Sequence, residues 1–141
     1  MDAYLEKYSG VREYMKNIVE LAKKQEYVST LFNRRRYLPE IKSSNFNTRS
    51  FGERVALNMP IQGTAADIIK LAMVKVYRRL KAECPEAKLI LQVHDELICE
   101  CPEEAADKVK GMLEEEMNSA VMLSIPLTAE AKCGHSWAEA H

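Results

Sequence analysis

The segment Gln-Val-His-Asp-Glu at residues 92–96 places three titratable or metal-binding side chains between two apolar runs. The runs KLILQV (88–93) and ELICEC (96–101) predict short strands, and only His94 and Asp95 lie between them, which is hairpin spacing. Both residue types tolerate a positive φ. A carboxylate held at such a turn suits a hard cation such as Mg²⁺, which takes oxygen ligands. Ordinary turn chemistry is the alternative, because aspartate is common in turns without a ligand.

A second set of polar side chains recurs every four residues, at Arg54, Asn58 and Gln62. On a continuous helix this spacing predicts one shared face, although Pro60 interrupts the pattern. One planar cation and two amides can hydrogen-bond to phosphates or to the N3 and O2 acceptors of a minor groove. A solvated polar helix face is the alternative interpretation.

Basic residues dominate the tract from residue 33 to residue 54. Its only acidic residues are Glu40 and Glu53, and its basic residues are Arg34, Arg35, Arg36, Lys42, Arg49 and Arg54. Strand alternation predicts that Arg34 and Arg36 lie together and Arg35 lies opposite. A phosphate backbone is a natural partner for such a tract, and a solvated loop is the alternative.

Small residues follow Gln62 in QGTAAD (62–67). Gly63 and the two alanines predict a place where another part of the chain packs closely against a helix. The GxxxxGK[ST] pattern of a phosphate-binding loop is absent.

Hydrophobic periodicity predicts the elements that position these residues. In the first half we predict a helix over 11–26, a strand over 27–32, a polar loop over 43–50 and a short helix over 51–58. Proline suits a first helical turn, so we expect a longer helix from Pro60 to about Ala82. Its predicted buried stripe comprises Ala65, Ile69, Ala72, Met73, Val76 and Leu80.

The second half continues with the hairpin over 88–101, a helix from Pro102 to about Met122 and a last strand over 125–133. This order of elements predicts an α+β fold, in which helices pack on a small, mostly antiparallel sheet.

The charge of the 141 residues is unevenly distributed. Residues 1–82 carry a balance of +8 and residues 83–141 a balance of −9, which together give the net −1. This asymmetry favours a polyanion-facing front half, with two solvated helices as the alternative. No apolar run approaches the roughly 20 residues that span a bilayer, and the N-terminus lacks a signal-peptide core. We therefore expect a cytoplasmic protein.

The four cysteines, Cys84, Cys99, Cys101 and Cys133, form no CxxC pair. Free cysteine is usually buried, so we interpret all four as core thiols. A metal or redox role is the less favoured alternative.

Together these segments resemble the C-terminal part of the polymerase domain of family A DNA polymerases, the bacterial DNA polymerase I type. The matching stretches are TLFNRRRYLPEI (30–41), ERVALNMPIQGTAADIIKLAM (53–73) and LQVHDELICE (91–100), with a looser match in PLTAEAKCGHSW (126–137). The likeness extends from about Tyr4 to Trp137. The combination of QVHDE with the PIQGTAADI helix at this spacing is highly specific.

The resemblance implies a role for each candidate residue. Asp95 matches the second catalytic aspartate of the palm, a ligand of two Mg²⁺ ions. His94 matches the residue beside the primer terminus, and Glu96 matches the glutamate beside the aspartate, whose role in the family is supporting rather than central. The DNA-contacting residues that the resemblance implies are Arg34, Arg36, Arg54, Asn58, Gln62 and His94.

The resemblance also implies a fold, an activity and partners. Residues 1–50 would form a fingers-to-palm helix, a strand and a basic DNA-contacting segment, and 51–141 the palm with its catalytic hairpin at 88–101. The activity would be DNA-directed DNA synthesis by two-metal phosphoryl transfer, for DNA replication and repair. The partners would be primer-template DNA and deoxynucleoside triphosphates.

The sequence departs from the family in two respects. Asn33 stands where the family often has glycine, and asparagine is the usual substitute at a positive φ. The family's first catalytic aspartate, in a DYSQIELR-like strand, and its nucleotide-binding helix have no match here and would precede Met1. We therefore expect a piece of the polymerase domain, with most of the nucleotide site elsewhere. Alone it would be inactive and would self-associate through exposed apolar surface.

Two other classes of function compete with this interpretation. A metal-dependent phosphohydrolase would need further histidine ligands, and only His135 and His141 remain, both in the tail. A non-catalytic nucleic-acid-binding module is the stronger alternative, because the basic tract alone predicts weak, salt-dependent and sequence-independent binding to DNA.

Overall fold

A computed structural model describes residues 2–141, and helices dominate it. The α-helices are α1 (Asp2–Lys7), α2 (Ser9–Gln25), α3 (Phe46–Glu83), α4 (Ala106–Asn118) and α5 (Trp137–Ala140). The strands are β1 (Tyr27–Ser29), β2 (Arg35–Tyr37), β3 (Lys88–Val93) and β4 (Glu96–Glu100). Short 3-10 helices span Pro39–Lys42 and Glu103–Ala105. The chain divides into two compact units, one that ends at Ala65 and one that begins at Ala66.

The strands form two antiparallel hairpins, one in each unit. In the first unit β1 pairs with β2, and Val28 lies opposite Arg36. In the second unit β3 pairs with β4 from Lys88 opposite Glu100 to Val93 opposite Glu96, with a bulge between Leu89 and Leu91. The predicted α+β fold is confirmed.

The first unit has a small core between helices α2 and α3 and the first hairpin. The residues of this core are Ala22, Val28, Leu38, Ile41 and Ala56. The predicted amphipathic helix over 11–26 is confirmed as α2, which contributes Ala22 and packs Ile18 against the cluster. The backbone atoms of Glu40 and Ile41 lie 3.0–3.3 Å from where a Cβ on Gly52 would stand, so glycine permits this approach.

The second unit has a separate core between α3, α4 and the second hairpin. Its buried residues are Val76, Leu80, Cys84, Ala87, Ala105, Val109 and Met112. The predicted stripe is confirmed at Ile69, Ala72, Val76 and Leu80, all of which are buried. It is wrong at Ala65, which is exposed, and Met73 is only half-buried. The buried residue before the stripe is Thr64, whose hydroxyl is hydrogen-bonded.

Helix α3 is one continuous helix of 38 residues that begins at Phe46, so the predicted loop over 43–50 is confirmed only at 43–45 and the predicted break at Pro60 is wrong. The helix begins early because the Asn45 side chain accepts the backbone N–H groups of Asn47 and Thr48, which is the geometry of an N-cap. Pro60 has no N–H to donate to the carbonyl four residues earlier, so one hydrogen bond of the helix is missing. The Tyr14 hydroxyl donates to the Leu57 carbonyl at 3.2 Å beside this interruption.

Helix α4 ends at Asn118 instead of the predicted Met122. The Lys75 ammonium donates to the carbonyls of Ser119 and Ala120 at 3.0 and 2.9 Å, and the Ser119 hydroxyl donates to the Glu115 carbonyl. In a longer helix these carbonyls would accept N–H groups of the next turn. Here the lysine and serine side chains donate to them instead.

The strand predicted over 125–133 is wrong, because these residues pair with no strand among residues 2–141. The backbone N–H groups of Ala129 and Ala131 donate instead to the side chains of Asn118 and Glu114 on α4.

The cysteines do not share one environment. Cys84 is buried in the second core, and Cys99 and Cys101 are half-buried against it, as predicted for core thiols. Burial raises the pKa of the Cys99 thiol to about 11. The prediction is wrong for Cys133, which is exposed.

None of the helices within residues 2–141 is both long and apolar enough to cross a membrane.

Two valines on α3 test the second core. Val76 is 2% exposed and Val74 is 44% exposed. We expect Val76→Ala to lower the free energy of unfolding by about 2 kcal/mol, because it removes buried methyl groups and leaves a cavity. Val74→Ala should change it by less than about 0.5 kcal/mol, as for most surface substitutions. Denaturant unfolding of both variants measures the difference, and equal losses would contradict this core.

Candidate functional site

The first unit contains an open cleft of about 420 Å³ beside α3. Its lining residues are Arg36, Phe51, Arg54, Val55, Asn58, Met59, Gln62 and Gly63. The face predicted from the four-residue spacing of Arg54, Asn58 and Gln62 is thereby confirmed. The continuity of α3 through Pro60 is what keeps these three side chains in one row.

The three consecutive arginines point in two directions, as strand alternation predicts. Arg36 lines the cleft. Arg34 donates from Nη2 to the Gly63 carbonyl at 3.0 Å, so it also turns towards α3. Arg35 lies on the other face of the hairpin, where its guanidinium is 4.5 Å from the centre of the Tyr27 ring.

The charged side chains that line the cleft are both cations, Arg36 and Arg54. The nearby acid Glu53 pairs with Lys23 at 2.8 Å, and Glu26 pairs with Lys42 at 2.9 Å. The cleft therefore combines a positive potential with the hydrogen-bonding amides of Asn58 and Gln62. A polyanion with acceptor groups is the ligand that such a lining favours.

A pair of threonines attaches the arginine hairpin to α3. The Thr64 hydroxyl, on a buried side chain, donates to the Pro60 carbonyl at 2.5 Å and accepts the Leu31 N–H at 3.1 Å. Thr30, also buried, accepts the N–H groups of Phe32 and Arg34 at 3.2 and 3.3 Å. Because of these bonds the first strand ends at Ser29 instead of the predicted residue 32.

Between the two threonines, the hairpin leaves no room for a side chain on Gly63. A Cβ at this position would stand 2.8 Å from the Thr30 Cγ2 methyl. Real Cβ atoms essentially never approach that closely. The close packing predicted for QGTAAD is confirmed, and the approaching group is a side chain. Asn33 completes the turn with φ 63°, as expected for a residue in a glycine position.

The second unit presents His94 and Asp95 at the tip of the β3–β4 hairpin, as predicted. His94 has φ 50°, and both residues are exposed. The Gln92 side chain donates from Nε2 to the His94 carbonyl at 2.7 Å, which braces the turn. The Asp95 carboxylate is therefore carried on a braced turn between two strands and is open to solvent.

Glu96 follows at the start of β4, where its Oε1 lies 3.2 Å from Nδ1 of His141. The side chains of His141 and Glu96 are 68% and 42% exposed, so this contact contributes little to stability. Within residues 2–141, no three His, Cys, Asp or Glu side chains come together as a metal site. The oxygen of Asp95 fits a hard cation such as Mg²⁺ as one ligand of a shell completed by other groups.

Sequence reasoning missed several residues of these sites. Thr30, Thr64 and Gln92 act through backbone hydrogen bonds that no spacing reveals. The Gly63-Thr64 pair, which follows directly after the polar row, could have indicated from the sequence that Thr64 lies at a close contact. Phe51, Val55 and Met59 form the apolar part of the cleft lining and follow from the same helical face once α3 is continuous.

Comparison with known proteins identifies the family of the chain. The family model described as DNA polymerase family A matches residues 1–139. The chain belongs to DNA polymerase family A. Within this family, DNA polymerase I of Caldicellulosiruptor bescii is 51% identical over 139 residues, which cover 99% of this chain and 16% of that protein. DNA polymerase I of Bacillus subtilis is 49% identical over 140 residues, with the same two coverages.

A solved family A structure has the same fold. It is the polymerase domain of Pol1 from M. smegmatis in complex with DNA primer-template and dNTP, with a TM-score of 0.95 and 44% sequence identity. The match covers 99% of this chain and 25% of that chain. The chain therefore spans about one-sixth of the length of its curated family A relatives.

Two glycines test the contact at Gly63. Alanine is favoured over glycine inside a helix by roughly 0.5–1 kcal/mol. Gly111, on α4, has nothing within 4 Å of an added Cβ, so Gly111→Ala should stabilise the protein by about that amount. Gly63→Ala should instead destabilise it by about 1–3 kcal/mol, because the hairpin must shift. Thermal or denaturant unfolding compares the two, and stabilisation by Gly63→Ala would contradict the contact.

Proposed function

We propose that this chain is the part of a DNA-directed DNA polymerase that holds the primer-template and supplies one catalytic aspartate. The observation that carries the proposal is the cleft of the first unit, in which Arg36, Arg54, Asn58 and Gln62 converge. The membership in DNA polymerase family A supports it, as does the DNA bound to the relative from M. smegmatis. Arg34, Arg36, Arg54, Asn58 and Gln62 are the proposed DNA-contacting residues of this unit.

The chemistry of the cleft fits the edge of a duplex. Arg36 and Arg54 carry permanent charges that pair with phosphates. The amides of Asn58 and Gln62 donate to the minor-groove acceptors N3 and O2, which every base pair presents in similar positions. Contacts of this kind hold any sequence equally, which a polymerase requires. Arg34, bonded to the Gly63 carbonyl, would hold the hairpin in register beside the DNA.

The turn of the second unit carries the proposed catalytic residues. Asp95 would hold Mg²⁺, His94 would contact the primer 3′ end, and Glu96 would support Asp95. When bound, two Mg²⁺ ions supply a Lewis acid for the triphosphate and activate the primer hydroxyl. The part that the chain contributes is a fixed carboxylate, since the Gln92 amide and the flanking strands hold the turn.

A two-metal site would need a further carboxylate besides Asp95 to hold its ions. Neighbouring residues of a strand point to opposite faces, and Glu96 lies beside His141. We therefore propose that the isolated chain does not polymerise and that most of the site for deoxynucleoside triphosphates lies in another segment. Residues 1–50 would belong to the fingers-to-palm part and residues 51–141 to the palm of a cytoplasmic enzyme that replicates and repairs DNA.

Grafting tests the polymerase function. This chain would replace the matching part of Bacillus subtilis DNA polymerase I, to which it is 49% identical over 140 residues. We expect the hybrid to extend a primer and Asp95→Ala to lower kcat by at least about 10³-fold, because a metal ligand is lost. Glu100→Ala, an exposed acid on β4 of the same hairpin, is the matched control and should leave kcat unchanged.

The proposal fails if the folded hybrid binds primer-template but Asp95→Ala and Glu100→Ala extend primers equally well. Primer extension by the isolated 141 residues, abolished by Asp95→Ala, would contradict the predicted inactivity of the chain alone.

DNA binding by the isolated chain tests the cleft separately. We expect weak, sequence-independent binding whose log K falls with log salt at a slope of roughly −0.9 per phosphate contact. Arg36→Ala should make this slope shallower by roughly 0.9, which is the contribution of one phosphate contact. Arg78→Ala, an exposed arginine of the second unit, is the charge-matched control and should leave the slope unchanged. Equal effects of the two substitutions, or binding without salt dependence, would count against the cleft.

A non-catalytic nucleic-acid-binding module remains the second candidate, favoured by the cleft and its two arginines alone. This candidate predicts the same salt-dependent binding, but it also predicts that Asp95→Ala leaves primer extension by the hybrid polymerase unchanged.

A further inference from the structure

Pro60 weakens one turn of α3 in the middle of the proposed DNA-contacting row. A proline inside a helix has no N–H to donate, and its ring crowds the carbonyl four residues earlier. Asn58 and Gln62 lie on either side of Pro60, two residues before it and two residues after it. Both side chains line the same cleft. The relative position of their amides therefore depends on the course that the helix takes through this turn.

Two side-chain hydroxyls bond to the carbonyls of the weakened turn. The Thr64 hydroxyl donates to the Pro60 carbonyl at 2.5 Å, which is a bond within α3 itself. The Tyr14 hydroxyl donates to the Leu57 carbonyl at 3.2 Å, and Tyr14 belongs to α2. The Tyr14 bond therefore ties this turn to a second helix, at the residue directly before Asn58.

Helix α2 carries Tyr14 on the face that packs in the first core. Tyr14, Ile18 and Ala22 recur every four residues, which places them on one face of the helix. Ala22 and Ala56 are buried in this core and Ile18 packs against it, while Tyr14 is half-buried on the same face. Burial raises the pKa of the Tyr14 hydroxyl, which keeps the group protonated as a donor. The donor is thus held by a helix that shares a core with α3.

We propose that Tyr14 is a positioning residue for the amides of Asn58 and Gln62. Its hydroxyl fixes the turn of α3 at Pro60 and thereby sets the relative position of the two amides across that turn. Tyr14 acts through α3 and needs no contact with DNA itself. The inference rests on the proposed function, because it takes the two amides as groups that hold primer-template.

Removal of the hydroxyl alone tests this role in the hybrid with Bacillus subtilis DNA polymerase I. Tyr14→Phe should raise the dissociation constant for primer-template by about fivefold, roughly the contribution of one hydrogen bond. Tyr77→Phe removes the same group from an exposed tyrosine of the second unit and should leave the constant unchanged. Circular dichroism and denaturant unfolding confirm that both variants are folded.

A double-mutant cycle separates positioning from a general effect on the first unit. The variant Asn58→Ala/Gln62→Ala lacks both amides, so the addition of Tyr14→Phe should change the dissociation constant by less than about twofold. Arg36→Ala removes a cation of the hairpin instead, and there Tyr14→Phe should still raise the constant by about fivefold. A loss of equal size in both backgrounds would overturn the proposal, because Tyr14 would then act on the unit as a whole.

Failure of this inference and failure of the proposed function give different results. If Asn58→Ala/Gln62→Ala weakens primer-template binding and Tyr14→Phe does not, Tyr14 has no positioning role and the proposed function stands. If Asn58→Ala/Gln62→Ala leaves primer-template binding unchanged, the two amides do not hold DNA and both proposals fail.

Discussion

The contact between the first hairpin and α3 at Thr30, Gly63 and Thr64 is the constraint on which the proposed DNA-binding cleft depends. The Thr64 hydroxyl is shared between the Pro60 carbonyl and the Leu31 N–H, so it joins the helix to the turn at the one place where proline weakens the helix. Thr30 fills the space that a side chain on Gly63 would need. With the hairpin held there, Arg36 reaches the same cleft as the polar row of α3. A loose hairpin would leave that row without its second cation.

The two units position their polar side chains in different ways. The first unit builds a concave, basic surface from a helix and a hairpin, with an apolar lining supplied by Phe51, Val55 and Met59. The second unit places Asp95 on a convex turn, with its side chain in solvent. A concave surface suits a large polyanion, whose many weak contacts add up. A single exposed carboxylate suits a cation that brings its other ligands with it.

The prediction from sequence succeeded where short-range chemistry decides the structure. Two residues between two apolar runs predict a hairpin, and His94 takes the positive φ that such a turn requires. It failed where a longer-range contact outweighs a local signal. Pro60 is a helix breaker by local rules, yet α3 continues across it, with Ala56 of the preceding turn buried in the first core. The segment over 125–133 has the composition of a strand, but a strand also needs a partner. Here the side chains of α4 accept only the N–H groups of Ala129 and Ala131, and no strand pairs with the segment within residues 2–141.

The sequence by itself determined which residues could act: the row Arg54, Asn58 and Gln62, the arginine tract, and the turn with His94 and Asp95. It did so because residue type and spacing fix donors, charges and shared faces within one element. Only the tertiary structure decided that Arg36 joins the polar row while Arg35 stacks on Tyr27, and that Arg34 bonds to Gly63. Those outcomes depend on how a hairpin packs on a helix some thirty residues away, and that packing is set by buried threonines and a glycine whose partners no local pattern names.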